Sequence, residues 1–202
     1  MRLPRPWFPA KWFFPEALFR IKTDDRLLCL TFDDGPDPAS TPGIIDMLEK
    51  YDIRAIFFCN GRSAENYPGL TDLIRSRGHI TGNHGYSHLN GWTTPATIYC
   101  DDVNRAAPFS STTLFRPPYG RLKFSQYTTI KKSYRIIMWD VMPYDYDKHS
   151  GSEKALSILR KKIRPGSIIA LHDKPESTLH GFLEEFIRYA MEKNFRFCLP
   201  DL

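Results

Sequence analysis

The sequence predicts one parallel α/β domain, on three observations. From Leu27 onward short apolar runs alternate with longer helix-like segments, Gly and Pro punctuate the joins, and a length of 202 residues suits a single domain. Before that point stands a different segment, residues 1–24, which is read as an arm, with the domain proper over 25–202. The arm is basic and aromatic, with Trp7, Phe8, Trp12, Phe13 and Phe14 beside Arg2, Arg5 and Lys11, and is broken by Pro4, Pro6, Pro9 and Pro15. Those prolines disfavour an amphipathic helix, so the arm is expected to pack across the bottom of the domain, with peripheral membrane contact as the alternative. It has neither the unbroken apolar stretch nor the small-residue cleavage site of a secretory leader. The expected location is therefore cytoplasmic, membrane-associated if the arm binds lipid.

Along the domain the elements follow in order. Residues 27–32 (LLCLTF) form a first strand that runs into Asp33 and Asp34. Thr41 and Pro42 open a helix over IIDMLEKY. Residues 55–59 form the next strand, and the helix ending in RSRG stops at Gly78. A strand at 79–82 leads into GNHGYSH, after which Thr94 and Pro95 open another helix. Strands at 113–116 and 135–140 lead into FRPPYG and the tract 139–146. Ser152 and Glu153 begin the helix ALSILRKK, and strands at 167–171 and 195–199 complete the set. Helical crossovers between consecutive strands make the sheet parallel, with helices on one or both faces. An open doubly wound sheet and a closed barrel both satisfy this order. Five strands, however, end in polar residues suited to chemistry, and a barrel gathers such ends on one face, whereas an open sheet spreads them along an edge.

Composition excludes several classes. With 42% hydrophobic and 25% charged residues the chain can build a core and is unlike a disordered one. No stretch is apolar for long enough to span a membrane. The 28 Lys and Arg exceed the 23 Asp and Glu by five, but they are dispersed apart from Arg160, Lys161, Lys162 and Arg164, so no nucleic-acid partner is expected. The four cysteines, Cys29, Cys59, Cys100 and Cys198, are widely spaced and read as reduced core residues. Neither GxGxxG nor GxxxxGK[ST] occurs, which removes the usual signal for nucleotide chemistry.

The polar strand ends carry the functional reading. His84 and His88 are four apart, so on a helical turn both imidazoles share a face and can bind one cation. An isolated HxxxH is more often two surface or capping histidines. Asp33 and Asp34 change that balance, because adjacent carboxylates point in different directions: one completes the metal site while the other faces a metal-bound water. The competing reading of DDGPDP is a turn held by aspartates. Two His and one Asp leave coordination positions open, as a catalytic metal needs. Arg116 can hold a carboxylate, and Pro117 beside it stiffens the loop. His172, free of the metal and oriented by a carboxylate such as Asp145, is a natural general acid; its bland alternative is a satisfied rim residue. His79, His149 and His180 have no comparable setting. An iron oxygenase also uses two His and a carboxylate, but usually on a double-sheet β fold, and Gly85 stands where a metalloprotease HExxH has glutamate.

The segments TFDDGP, HGYSH, RPPYG, the tract 139–146 and LHD, in that order, resemble the five motifs of the polysaccharide deacetylase family, also called NodB-homology or carbohydrate esterase 4 enzymes. The resemblance implies a distorted or incomplete (β/α)7 TIM-like barrel and metal-dependent removal of an N-acetyl, sometimes O-acetyl, group from a glycan. It further implies Asp33 as base and Asp34, His84 and His88 as ligands of a divalent metal, zinc first, with cobalt, nickel or manganese as alternatives. Arg116 then orients Asp33, the Tyr119 amide serves an oxyanion hole, His172 is the acid tuned by Asp145, and Leu171 walls the acetyl methyl. Pro117 and Tyr146 belong to the substrate side. The substrate implied is a carbohydrate such as chitooligosaccharide or peptidoglycan. A small or lipid-linked amino sugar is the alternative, and a glycan-binding member without turnover the non-enzymatic one. Three positions depart from the family pattern: Tyr146 where Trp is frequent, Met142 in place of an acid, and Gly85 in place of Ser or Thr.

Overall fold

The computed structural model describes residues 4–6 and 10–200; Arg2, Trp7 and Phe8 of the arm lie outside them. Among the described residues the strands are β1 (Leu27–Asp33), β2 (Ile56–Cys59), β3 (Ile80–Asn83), β4 (Leu114–Phe115), β5 (Arg135–Ile136), β6 (Ser167–His172) and β7 (Arg196–Phe197). They form one parallel sheet in the order β5-β4-β3-β2-β1-β6, with β7 pairing the start of β1. The sheet curls into a barrel that no continuous ladder closes. Between β5 and β6 the seam is bridged by isolated pairings, Val141 with Ile169, Leu18 with Ile137 and Arg20 with Ser167. This is the distorted, incomplete barrel that the motifs imply.

β5 is shorter than the predicted 135–140 because the chain leaves its ladder to bridge that seam. The Met138 amide donates to Leu18, and those of Asp140 and Val141 donate to Ile168. Asp140 is then held across the gap by Arg164 and Ser167.

Alternation along the strands sorts the core into two layers. Cys29, Ile56, Phe58, Leu114, Ile137 and Ile168 cluster inside the barrel. Leu28, Leu30, Phe32, Phe57, Ile169 and Leu171 face the other way, against the helices Thr41–Lys50, Ser152–Lys162 and Leu183–Glu192. Pro42 sits in the first turn of the helix Thr41–Lys50 as expected, but the Ser40 hydroxyl caps nothing; it donates to Asp173 instead. Cys29 and Cys59 are buried, while Cys100 and Cys198 are only partly so, which corrects their reading as core residues. No helix among the described residues is long and apolar enough to cross a membrane.

The described part of the arm packs on the barrel, along the seam rather than across the bottom. Arg20 reaches Pro165 at the lower end, Phe19 is buried in a cluster with Phe115 and Ile136, and Phe14 lies 5.1 Å from the ring of Tyr127. The Pro4 carbonyl accepts from Met142, beside the upper, catalytic end. The physical reason is the missing ladder, which leaves a slot that only another stretch of chain can fill. Burying a side chain such as Phe19 is worth about 1.5–3 kcal/mol, so deleting residues 1–20 is expected to lower Tm by about 5 °C or more. An unchanged melting curve, with vesicle binding lost, would sink this account of the arm.

Candidate active site

At the upper end of the barrel the strand termini bring three ligand atoms together. One oxygen of Asp34 and one ring nitrogen each from His84 and His88 lie within 4.8 Å of one another. His88 Nε2 is 2.9 Å and His84 Nε2 3.5 Å from Asp34 Oδ1. Those separations bracket the roughly 3.3 Å between ligand atoms about 2.0–2.1 Å from one tetrahedral zinc, so the donor set fits a divalent cation. His84 Nδ1 lies 2.8 Å from the Arg116 carbonyl, which fixes the ring with Nε2 toward Asp34. Burial lowers the pKa of His88, keeping it in the neutral form that a metal requires. Burial opposes the charge of Asp34, but hydrogen bonds from both histidines outweigh it and hold this carboxyl well below its usual range.

The histidines are not on a helix. Residues 84–88 form a loop in which Gly85 has φ 73° and His88 φ 54°. Asp102 accepts from the amides of Tyr86 and Ser87, and the buried Asn83 Oδ1 from Gly85, so side-chain acceptors shape the loop. A side chain at Gly85 would put its Cβ 3.0 Å from Asp102, which accounts for glycine at this position here. Asp34 itself has φ 80°. Such left-handed backbone costs about 1–3 kcal/mol for a non-glycine residue, and it turns Asp34 toward the histidines while Asp33 faces the barrel axis.

There Asp33 meets Arg116, which is fully buried. Arg116 Nη1 donates to Asp33 Oδ1 at 2.7 Å and to Thr31 Oγ1 at 2.6 Å, Nη2 to the Met138 carbonyl and Nε to the Ile137 carbonyl. Its guanidinium lies 4.3 Å from the centroid of Phe58. Each arm of the fork is satisfied, which is the condition for a buried charge to be tolerated.

His172 is the register partner of Asp33 on the adjacent strand. Asp145 binds it twice, Oδ1 at 2.9 Å from Nδ1 and Oδ2 accepting from the backbone amide at 2.8 Å, and Ser177 donates to the same carboxylate. Burial would lower the His172 pKa, but the charge of Asp145 and its hydrogen bond, with Asp34 and Asp33 beyond, push it up to about 9. The ring of Tyr146 stands edge-on, 4.7 Å from the imidazole.

The family profile described as polysaccharide deacetylase matches residues 20–137. A peptidoglycan-N-acetylglucosamine deacetylase of Bacillus cereus is 32% identical over 97% of this chain and 75% of its own. The chain belongs to the polysaccharide deacetylase family. A chitooligosaccharide deacetylase of Azorhizobium caulinodans is 30% identical, covering 76% of this chain and 77% of its own. Among solved structures, a peptidoglycan N-acetylglucosamine deacetylase crystallised with 4-naphthalen-1-yl-N-oxidanyl-benzamide superposes with TM-score 0.87 at 28% identity, covering 95% of this chain and 94% of that one.

The deacetylase pocket, about 380 Å³, is lined by Asp33, Asp34, His84, His88 and His172 together with Tyr119 and Tyr146. Two substrate-side expectations are corrected. Leu171 does not wall it: on β6 it alternates with His172, so it points into the helix-facing core beside Phe32 and Ile169. Pro117 is buried and shapes the turn, its carbonyl accepting from the Gly120 amide, without lining the pocket. Gly120, at φ 65°, lets Trp139 close over it; a Cβ there would sit 2.2 Å from the indole. Trp139 and Tyr144, inside the tract 139–146 but given no role of their own, also line it, as do Arg121 and Lys174, which the motifs do not include. Lys174 Nζ lies 3.0 Å from Asp34 Oδ2. Asp173, the last residue of LHD, was given no role; buried, it accepts from Ser40 and Thr41 and ties β6 to the start of the helix Thr41–Lys50.

Proposed function

We propose that this deacetylase hydrolyses the acetamido group of an N-acetylglucosamine-type residue in a glycan. The observation that carries the reading is the convergence of three separate constellations on one pocket: the Asp34, His84, His88 cluster, Asp33 clamped by Arg116, and His172 clamped by Asp145. Asp34, His84 and His88 would hold a divalent cation, zinc in the first instance, which when bound would supply Lewis acidity to the acetyl carbonyl and to the attacking water. Asp33 takes the proton from that water. The Tyr119 amide, on a turn with φ 59°, donates to the oxyanion of the tetrahedral species. His172, protonated at neutral pH because its pKa stands near 9, delivers a proton to the departing amine. Arg116 acts through Asp33 and Asp145 through His172, so both are positioning residues. Acetate release from chitooligosaccharides, from peptidoglycan fragments and from an O-acetylated glycan tests the reading; no release from any of them by metal-loaded protein would refute it.

The acid assignment carries its own pH signature. His172 is competent below its pKa and loses its proton as pH rises through it. Asp145→Asn keeps the shape but removes the charge that raises this pKa, leaving burial to lower it. The alkaline limb of kcat/KM is expected to move to lower pH by about one unit or more. A limb that stays in place would show that another group titrates there.

A further inference from the structure

Beside the catalytic pocket lies a second cavity of about 460 Å³. Phe13 and Phe14 of the arm, Trp92, Leu122, Phe124 and Met138 supply most of its wall. Tyr119, Gly120, Arg121 and Trp139 also line it and are shared with the catalytic pocket, so the two cavities run together across that wall. Phe13, Trp92, Tyr119 and Phe124 are each 58–62% exposed, although they neighbour one another. A contiguous exposed apolar patch of this kind marks a ligand or lipid contact. The charged side chain in the lining is Arg121. Its guanidinium lies 4.9 Å from the centroid of Trp92 and 5.8 Å from that of Tyr119, and among the described residues no carboxylate pairs with it.

The chemistry of the wall selects the occupant. A sugar ring stacked on these exposed aromatic faces keeps its edge hydroxyls in water, but Arg121 is the one charged group in the lining that could orient them. A hydrocarbon chain needs no such partners, and its gain grows with each methylene the wall covers. Arg121 stands at the junction, where its planar fork suits a phosphate.

We propose that this groove holds the hydrocarbon chain of an amphiphilic substrate, an N-acetylated amino sugar joined through a phosphate to a lipid. Arg121 contacts the phosphate while the acetamido group occupies the catalytic pocket. The proposal rests on the deacetylase reading and narrows its substrate class.

The test compares two synthetic phosphodiesters of N-acetylglucosamine 1-phosphate, one dodecyl and one methyl, below the micelle concentration, with chitotetraose as the chain-free glycan. The dodecyl ester is expected to show a KM about 10- to 100-fold below that of the methyl ester. Phe124→Asp, at an exposed first-turn position of the helix Phe124–Ile130 where an acid suits the helix dipole, should erase that ratio, as should Trp92→Ala. Independently of turnover, dodecyl phosphate should change the tryptophan fluorescence of the wild type, because Trp92 and Trp139 line the groove, and should fail to do so in Phe124→Asp. Equal KM values for the two esters, with chitotetraose still deacetylated, would overturn the groove and leave the deacetylase reading intact. Chitotetraose weakened by Phe124→Asp as much as the dodecyl ester would make the groove a saccharide subsite and overturn the proposal too. If no substrate is deacetylated, the deacetylase reading fails, and dodecyl phosphate binding decides the groove alone.

Discussion

His84→Ala is expected to lose metal binding and acetate release together, with affinity for zinc falling by more than the 10- to 100-fold typical of a lost outer-shell partner, since a ligand itself is removed. The imidazole is nearly inaccessible, and its two nitrogens have separate duties: Nδ1 lies against the Arg116 carbonyl and Nε2 faces Asp34. Alanine removes one of three donors, and two cannot enforce the geometry of three. The readouts are metal content after dialysis and the rise in Tm on adding zinc, which for the wild type follows mass action on the native state. In the variant that rise should vanish. Retention of a full metal complement with unchanged turnover would remove His84 from the ligand set.

Much of this site was legible because its residues stand at the ends of strongly apolar runs. β1 and β6 are buried on both faces, so LLCLTF and SIIAL read as strands without alternation. That same continuity hides facing, so nothing in the strand's own pattern could correct the resemblance, which puts Leu171 at the pocket one residue away from the position that points there. β4 and β5 are two residues each, too short to carry a pattern, and the departure of 137–141 to the seam depends on the distant residues 18 and 168. The helical reading of His84 and His88 failed on Gly85, whose positive φ ends any regular turn; the glycine was the available signal. Lys174 was beyond reach, since its place beside Asp34 follows from the pairing of Asp33 with His172 across two strands far apart in sequence. The apolar groove escaped for a similar reason: it joins the arm to loops after β3 and β4.

The two proton-transfer roles separate because Asp33 and His172 come from different strands and neither belongs to the ligand cluster. Asp33→Asn keeps a group of the same shape beside Arg116, so fold and metal content should survive while kcat falls by about 10²- to 10⁴-fold. His172→Ala removes the acid and should cost about the same. It also leaves Asp145 with Ser177 and the position 172 amide, enough to keep that carboxylate hydrogen-bonded. Groups acting in one mechanism are non-additive, so the double variant should be little worse than the poorer single one. The pH profile marks the acid, which must be protonated, so the alkaline limb should disappear in His172→Ala. Simple loss of packing would lower activity without removing that limb. If His172→Ala kept its alkaline limb and near-normal turnover, the proton on the leaving amine would have to come from elsewhere, and the Asp145 clamp would be structural.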